Sequence, residues 1–515
     1  MNVIDTTAVE SHDSRGDGVP TALRRNLAGA VLGKDGEAGS SALAAFLDET
    51  HGGKLLAGWF GRDKHEVLAD PDVCKALLAR DIAMIDKLLG DQVDAILHHR
   101  DFKQLEATWR GVELVIDEAG GDDKVRVRLL NATWQELSRD FDKSAEFDQS
   151  ALFAKVYNDE YGMPGGMPYG LLICDYAVRH RATGAQAIPV DDVNTLLGVA
   201  QVAAAAFSPC VVGAAPELFG VPSFSDLSHA QRLDTGFRLA EYQRWQKLRG
   251  REESRFVGVA LPRILLRDRY RDSSARTDGF PYVEGGIGID SWLWGNAAFA
   301  FGAVAIRAFR DYGWFADITG ASGADERGGI FSALPTPRFS SGEEIAYRRP
   351  LEVELTDKKQ RALEHLGFMS FSPCNFARSM VLLGARSLHA VGDEGDATEQ
   401  ANARLSSMLQ YVMCVSRFAH YVKVMARERV GAYTQPAELE RYLDGWLRDY
   451  TIGNTDAGPE LKARYPLAGA RLEVRDIPGK PGSMSCLMHL QPHFHFDQVV
   501  STFQLKTEIA SVTAK

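Results

Sequence analysis

Between residues 70 and 120 the apolar positions recur at three- and four-residue steps, the period of amphipathic helices. "DPDVCKALLARDIAMIDKLLG" (70–90) predicts a helix capped by Asp70, with Pro71 in its first turn and Gly90 after its end. A second helical stretch is expected over 91–99. The next helix carries Phe102, Leu105, Trp109, Val112 and Ile116 on one stripe, and Gly120 and Gly121 supply its stop. Gly111 stands inside that helix, at a cost of about 1 kcal/mol relative to alanine. It follows directly on Trp109 and Arg110. A Trp-Arg-Gly triplet in the middle of an otherwise good helix needs a reason.

Elsewhere the period changes to two. "KVRVRLL" (124–130) alternates as a strand and "NATWQELSRDF" starts another helix. From about 145 to 320 the pattern is α/β. "YGLLICDYAV" and "SRFVGVALPRIL" read as buried strands, with helices at 191–207 and in "GFRLAEYQRWQKLR" between them. "LWGNAAFAFGAVAIRAFRDYG" is apolar nearly all round and belongs deep in a core. Beyond 350, "LEVELTDKKQRALEHLGFMSF" predicts strand, helix and strand. A long buried helix (398–431), a shorter amphipathic one (436–451) and three terminal strands follow, in "ARLEVRDI", "MSCLMHLQPHFHF" and "STFQLKTEI". Residues 1 to about 60 differ. They hold two short apolar stripes, "VPTALRRNLAGAVLG" and "SALAAFLDET", joined by the flexible "GKDGEAGS". They read either as a tail or as an arm that folds against a partner.

Composition narrows the functions. The 515 residues are 45% hydrophobic and 25% charged, and the net charge is −11, so a nucleic-acid backbone is not an expected partner. The six cysteines lie far apart without a CxxC pair, which predicts reduced thiols rather than a disulfide framework or zinc site. No targeting segment or membrane span is expected. The sequence has no Walker loop, HExxH, GxSxG or EF-hand loop. His489, His493 and His495 share one face of a strand by parity, but Pro492 interrupts that ladder and no acidic partner is near in sequence. "YGMPGGMPYG" (161–170) reads as a tight connection, and Asp191 with Asp192 as a helix start. No cofactor, metal or catalytic constellation is expected.

Several long stretches resemble one family. "ILHHRDFKQLEATWRG", "EFDQSALFAKVYNDEYGMPGGMPYGLLICDY", "SRFVGVALPRILLR", "LWGNAAFAF", "ANARLSSMLQYVMCVSRFAHYVKVMARE" and "ARLEVRDIPGKPG" with "LQPHF" occur in the order seen in the large subunit of the type VI secretion contractile sheath, the TssC or VipB family. Arg100 replaces a proline expected there, and residues 1–60 and "RFSSGEEIAYRRPLEV" are less typical. The resemblance implies a multi-domain α/β fold like that of phage tail sheaths, with mixed sheets and flanking helices. It implies a structural protein, not an enzyme, that pairs with a small sheath subunit (TssB or VipA) around a tube of Hcp rings. Such sheaths start on an envelope-bound baseplate, contract in the cytoplasm and are dismantled by the AAA+ unfoldase ClpV. A phage-type or extracellular injection sheath is the alternative within the class, and an α/β metabolic enzyme the alternative outside it.

The expected organisation is an arm (1–60), a helical segment with the Trp-Arg-Gly motif (61–135), an α/β core (136–350) and a C-terminal domain ending in interaction strands (351–515). Trp109, Arg110 and Gly111 are expected to serve packing or an interface. Trp109 would fill a pocket, Gly111 admit a neighbouring backbone and Arg110 bridge carboxylates or carbonyls, within the chain or between subunits. Phe503, Leu505 and Ile509 are the candidate intersubunit strand residues. Leu23 and Leu27 are candidates for a handle gripped by the unfoldase.

Overall fold

The computed structural model describes residues 46–60, 70–181, 190–230, 233–272, 280–286, 288–320, 327–340, 345–374, 378–392, 403–428, 436–454, 457–478, 484–493 and 503–509. For 339–340, 345–346 and 503–509 the description is of the backbone. Leu23 and Leu27, like the linker "GKDGEAGS", lie outside the described residues. The chain divides into two compact units, one of Met1–Lys103 with Arg269–Ser291, the other of Gln104–Asp268 with Trp292–Lys515.

In the first unit, helix α1 (Gly52–Phe60) precedes α2 (Pro71–Leu97). Asp70 caps α2 by accepting from the amides of Asp72 and Val73, with Pro71 at its start. The expected stop at Gly90 is overturned, because α2 runs on to Leu97. Val93 and Ile96 continue its apolar spacing, and a single glycine costs less than breaking the run of backbone bonds. Polar side chains tie the unit together. Trp59 Nε1 donates to the buried Asp81 at 2.9 Å, and Asp94 accepts from the Tyr282 hydroxyl and the Gly285 amide. The buried Glu284 meets His98 Nε2 at 3.1 Å.

The second unit is built on a six-stranded sheet. Its strands are β1 (Leu172–Val178), β2 (Cys210–Ala214), β3 (Val257–Leu261), β4 (Ile330–Phe331), β5 (Phe368–Pro373) and β6 (Met380–Leu382), in the order β1-β2-β3-β5-β6-β4. The first four in that order run parallel, and β6 is antiparallel to both of its neighbours. Alternate residues feed two cores. Cys210, Val212, Val257 and Val259 face one core, whereas Val211 and Ala260 face the other. A parallel sheet covered on both faces explains why these strands read as unbroken apolar runs.

Among the described residues, four helices of ten or more residues in this unit precede the tail helices in sequence. They are α3 (Arg100–Ala119, entering from the first unit), α4 (Trp134–Lys143), α5 (Asp192–Ala205) and α6 (Ala297–Tyr312). Thr133 and Glu136 form a reciprocal capping box at the start of α4. Asp191 caps α5, and the buried Asp192 accepts from Trp134 Nε1 and the Arg179 amide, so this acidic pair is structural. As its composition predicts, α6 is buried along most of its length.

After α7 (Asp357–His365) come α8 (Leu409–Glu428) and α9 (Pro436–Arg448). The three-stranded sheet β7 (Leu467–Asp476), β8 (Met484–Pro492), β9 (Phe503–Ile509) closes the chain, antiparallel throughout. Met413 and Phe418 of α8, Leu443 of α9 and Met488 of β8 belong to the same core as α6. Trp314 stacks on Phe418 at 4.1 Å between ring centroids, with Tyr450 edge-on.

Three further expectations are corrected. Residues 125–133 form no ladder, so the strand expected over 124–130 is not part of a sheet here. "GFRLAEYQRWQKLR" breaks into short helical pieces rather than one helix. "LEVEL" makes only one bridge, Leu351 to Ile264, because the fully buried Glu352 carboxylate is held by Arg263 at 2.6 and 2.7 Å. A two-pronged ion pair fixes this segment in place of a ladder.

Burial also sets the chemistry of the core. The thiols of Cys174 and Cys414 are pushed up to about 12 by burial, as is that of Cys486, and Cys210 is also raised. His420 is buried on α8, with Nε2 donating to the Ala206 carbonyl at 2.9 Å. Burial first, and Arg417 second, lower it to about 3. Below pH ~6.5 the unfolded imidazole takes up a proton that the folded one refuses until about pH 3. Stability present above 6.5 is therefore lost as pH falls through that interval. The melting temperature, followed by scanning fluorimetry from pH 7.5 to 5, should drop, and the drop should be shallower in His420→Gln. Equal slopes would show that His420 does not contribute.

Candidate functional site: the Trp-Arg-Gly helix and the terminal sheet

Helix α3 turns a narrow face inward: Gly111, Val115 and Ala119, at four-residue steps, are its buried positions. The stripe read from the sequence points the other way. Phe102, Leu105, Trp109 and Ile116 are exposed, Trp109 by 59%. The correction has a steric cause. A Cβ on Gly111 would lie 2.3 Å from the Phe299 ring of α6, closer than any side chain tolerates. Four residues on, Val115 stands 3.7 Å from where a Cβ on Gly302 would be. Where the Phe299 ring lies against α3 the helix has no room for a side chain, and its large apolar residues are left on the outer face.

Arg110 is spent within the chain. Its Nε donates to Glu106 at 2.9 Å, and Glu113 lies 3.8 Å from its Nη1. Glu106 also accepts from Arg267 Nε at 2.7 Å, and the Arg267 side chain is almost wholly buried. One carboxylate thus holds two guanidiniums and fixes α3 to the end of the Ile264–Arg267 strand. Thr108 donates to Asp175 on β1. Burial raises the Asp175 carboxyl, against hydrogen bonds from Thr108 and Asn296 that lower it. Asn296 caps α6 with its Oδ1 on the Ala298 amide, while its Nδ2 donates to the Cys174 and Tyr176 carbonyls. These lie in the irregular stretch of β1 between Cys174 and Ala177.

Of the triplet, then, Gly111 admits Phe299 and Arg110 bridges two glutamates, whereas Trp109 projects outward. Phe299, Arg267 and Asn296 escaped the sequence reading, because their roles depend on segments about 120 to 190 residues away. Glu106, four residues before Arg110, was the one legible signal of that network.

The terminal sheet is the second candidate surface. In β8 burial alternates, with Cys486, Met488, Leu490 and Pro492 inside. Register sets Phe503 opposite Leu490, Leu505 opposite Met488 and Ile509 opposite Met484. Strand β9 is an outer strand of this sheet, and such strands present backbone groups to whatever chain approaches. His489 pairs with Arg471 and Gln504 in the register, and His495 lies outside the described residues. Among the described residues no group of three His, Cys, Asp or Glu is placed to hold a metal. Among them, too, no helix is long and apolar enough to cross a membrane.

A helix that exposes large apolar residues, and a sheet whose outer strand among the described residues is β9, are features of a protein that meets partners. Comparison with known proteins says which kind. Residues 79–389 match the EvpB/VC_A0108 tail sheath N-terminal domain, and residues 398–509 the EvpB/VC_A0108 tail sheath gpW/gp25-like domain. The chain belongs to this VipB family, whose members are the large sheath subunits of type VI secretion systems. It is 33% identical over 436 residues to the type VI secretion system sheath protein TssC1 of Pseudomonas aeruginosa, covering 84% of this chain and 85% of the relative. Two solved structures also match. One is a chain of the anti-feeding prophage baseplate (12% identity, TM-score 0.31, 76% of this chain and 81% of that one). The other is the sheath tail protein of Desulfitobacterium hafniense (8% identity, TM-score 0.28, 61% and 60%).

The helix contact makes a sharp contrast testable. Gly111→Ala overpacks the Phe299 contact and should destabilise the protein by about 1–3 kcal/mol. Adding Phe299→Leu should recover part of that loss, so the double variant costs less than the sum. Trp109→Ala should change stability by no more than about 0.5 kcal/mol. Urea denaturation of five proteins (wild type, Gly111→Ala, Phe299→Leu, their double variant and Trp109→Ala) reads these values, and a Trp109 effect as large as that of Gly111 would refute the assignment of Trp109 to the outer face.

Proposed function

We propose that this chain assembles with a dedicated small sheath subunit into a helical sheath around a tube of Hcp rings. The sheath grows from an envelope-bound baseplate, contracts in the cytoplasm to drive the tube outward, and is then dismantled by the ClpV unfoldase. The reading assigns no reaction to the chain. Its main support is the outward stripe of Leu105, Trp109 and Ile116 on a helix whose opposite face is already fully packed. Large exposed apolar groups on a rigid element mark a protein-binding surface. A contact between unlike faces, repeated without closing, generates a helix of subunits. Contraction then draws on the difference between two sets of interfaces, so the chain itself requires no nucleotide site.

In this reading the four segments 1–60, 61–135, 136–350 and 351–515 have separate duties. The last holds the lattice together through β9, where a neighbour's backbone would add to the open edge and the alternating side chains would set register. The chain expressed alone, with that edge uncovered, should aggregate and be rescued by the small subunit. Replacing Phe503 and Leu505 with Asp should abolish sheath formation, seen by negative-stain microscopy, since carboxylates buried at a joint lack partners. Full-length sheaths from that variant would remove β9 from the lattice.

The N-terminal arm is proposed to couple neighbouring subunits and to offer the unfoldase its grip. Lengthening the linker after Gly36 by a few residues should permit assembly but weaken or block contraction. Leu23→Ser with Leu27→Ser should leave contraction intact and slow recycling. Live imaging of a fluorescent sheath separates these outcomes, and unchanged behaviour in both variants would leave the arm without a role.

A further inference from the structure

We infer that the first unit opens on its own, in a cooperative step that leaves the second unit folded. The placement of the apolar side chains carries this. Every residue of the two hydrophobic cores belongs to the second unit. Among the described residues of the first unit, Phe60 and Cys74 alone are both apolar and buried. Its longest element, α2, encloses only Cys74 and Asp81 along 27 residues, while Ile82, Met84 and Ile96 stand exposed on it. Val283, on the segment that returns to α2, is exposed by 63%. Burial of apolar surface is the main term that offsets the entropy of ordering a chain, and this unit has little of it.

Polar contacts take the place of a core. Trp59 donates to Asp81, and its ring lies 5.8 Å from that of Phe46. Asp94 accepts from Tyr282 and from the Gly285 amide. The Glu284 carboxylate meets His98 and accepts from the Tyr270 amide at 2.9 Å. Lys103 donates to the Asp290 carbonyl. Asp81 and Glu284 are themselves buried, so each has given up hydration that its bonds only replace. A hydrogen bond that exchanges water for a protein partner leaves a small net gain. The unit is therefore well specified in shape but weakly held.

The chain connections let the step stay local. The segment 269–291 leaves the second unit after Arg267, whose side chain is almost wholly buried and paired with Glu106. The chain re-enters that unit at Leu293, which sits opposite Arg267 in a short antiparallel ladder. Both ends are thus anchored side by side, and the segment between them can loosen without pulling the ladder apart. Beyond Lys103, the buried Gly111, Val115 and Ala119 keep α3 in the second unit. The step depends on the contacts of this chain and not on the assembly proposed above.

Amide hydrogen exchange of the full chain, kept dilute and carrying a C-terminal solubility tag, tests the step. Interior amides of α2 should exchange at least about a hundredfold faster than those of α6. Trp59→Phe withdraws the indole donor from the buried Asp81. It should speed exchange across both α1 and α2 about tenfold and leave α6 unchanged. Gly111→Ala, which overpacks the second unit, should do the reverse, speeding α6 and leaving α2 as it was. Equal protection of α2 and α6 in the wild type would show that the chain opens as one body, and overturn the inference. So would a Trp59→Phe effect that spreads to α6, or one that fails to reach α2.

Discussion

The second unit depends on how closely its buried helix can be approached. Helix α6 is almost without polar faces and must be covered on every side. The sheet covers one side, with Asn296 at its start reaching across to the carbonyls of β1. Helix α3 covers another, and comes near enough only because Gly111 leaves room for the Phe299 ring. Close packing of this kind leaves no slack, since one methyl group at Gly111 would overlap aromatic carbon. The Glu106–Arg110–Arg267 network then fixes the helix in rotation. Once it is fixed, Trp109 has only one direction left, away from the core.

That sequence of constraints explains what could and could not be read from the residues. Strands β1, β3 and β5 of the central sheet, the buried α6, the cap at Asp70 and the three terminal strands were legible, because local period and local turn chemistry specify them, whereas β2, β4 and β6 were not expected. The inward face of α3 was not. Amphipathic reasoning assigns the large apolar residues to the core, and here the core contact demands the smallest ones. The strand pattern at 124–130 was read correctly as a pattern, but a ladder needs a second strand, and none of the described strands of this chain pairs with it. Gly90 misled for a simpler reason: a glycine permits a helix to end without requiring it. Family resemblance, carried by long ordered motifs, reached further than any of these local rules.

A protein of an assembly also reverses the usual meaning of an exposed apolar residue. In a monomer, Leu105, Trp109, Ile116 and Leu129 would be faults. Here they sit on segments braced by ion pairs and caps, which hold the surface in shape before a partner arrives. Rigidity on the inner side and apolar area on the outer side are two aspects of one arrangement. Strand β9, the outer strand of its sheet among the described residues, follows the same logic, with β8 and α8 supplying the backing.

The buried thiols add a property of another kind. Cys210, Cys414 and Cys486 are free thiols, enclosed and held far from ionisation, so at neutral pH they present almost no thiolate to an alkylating reagent. A subunit that merely shifts its position among neighbours keeps them enclosed. A subunit drawn apart by force uncovers them in the order in which its layers come undone. The interior of the chain therefore carries its own chemical clock, silent during rearrangement and running only during unravelling.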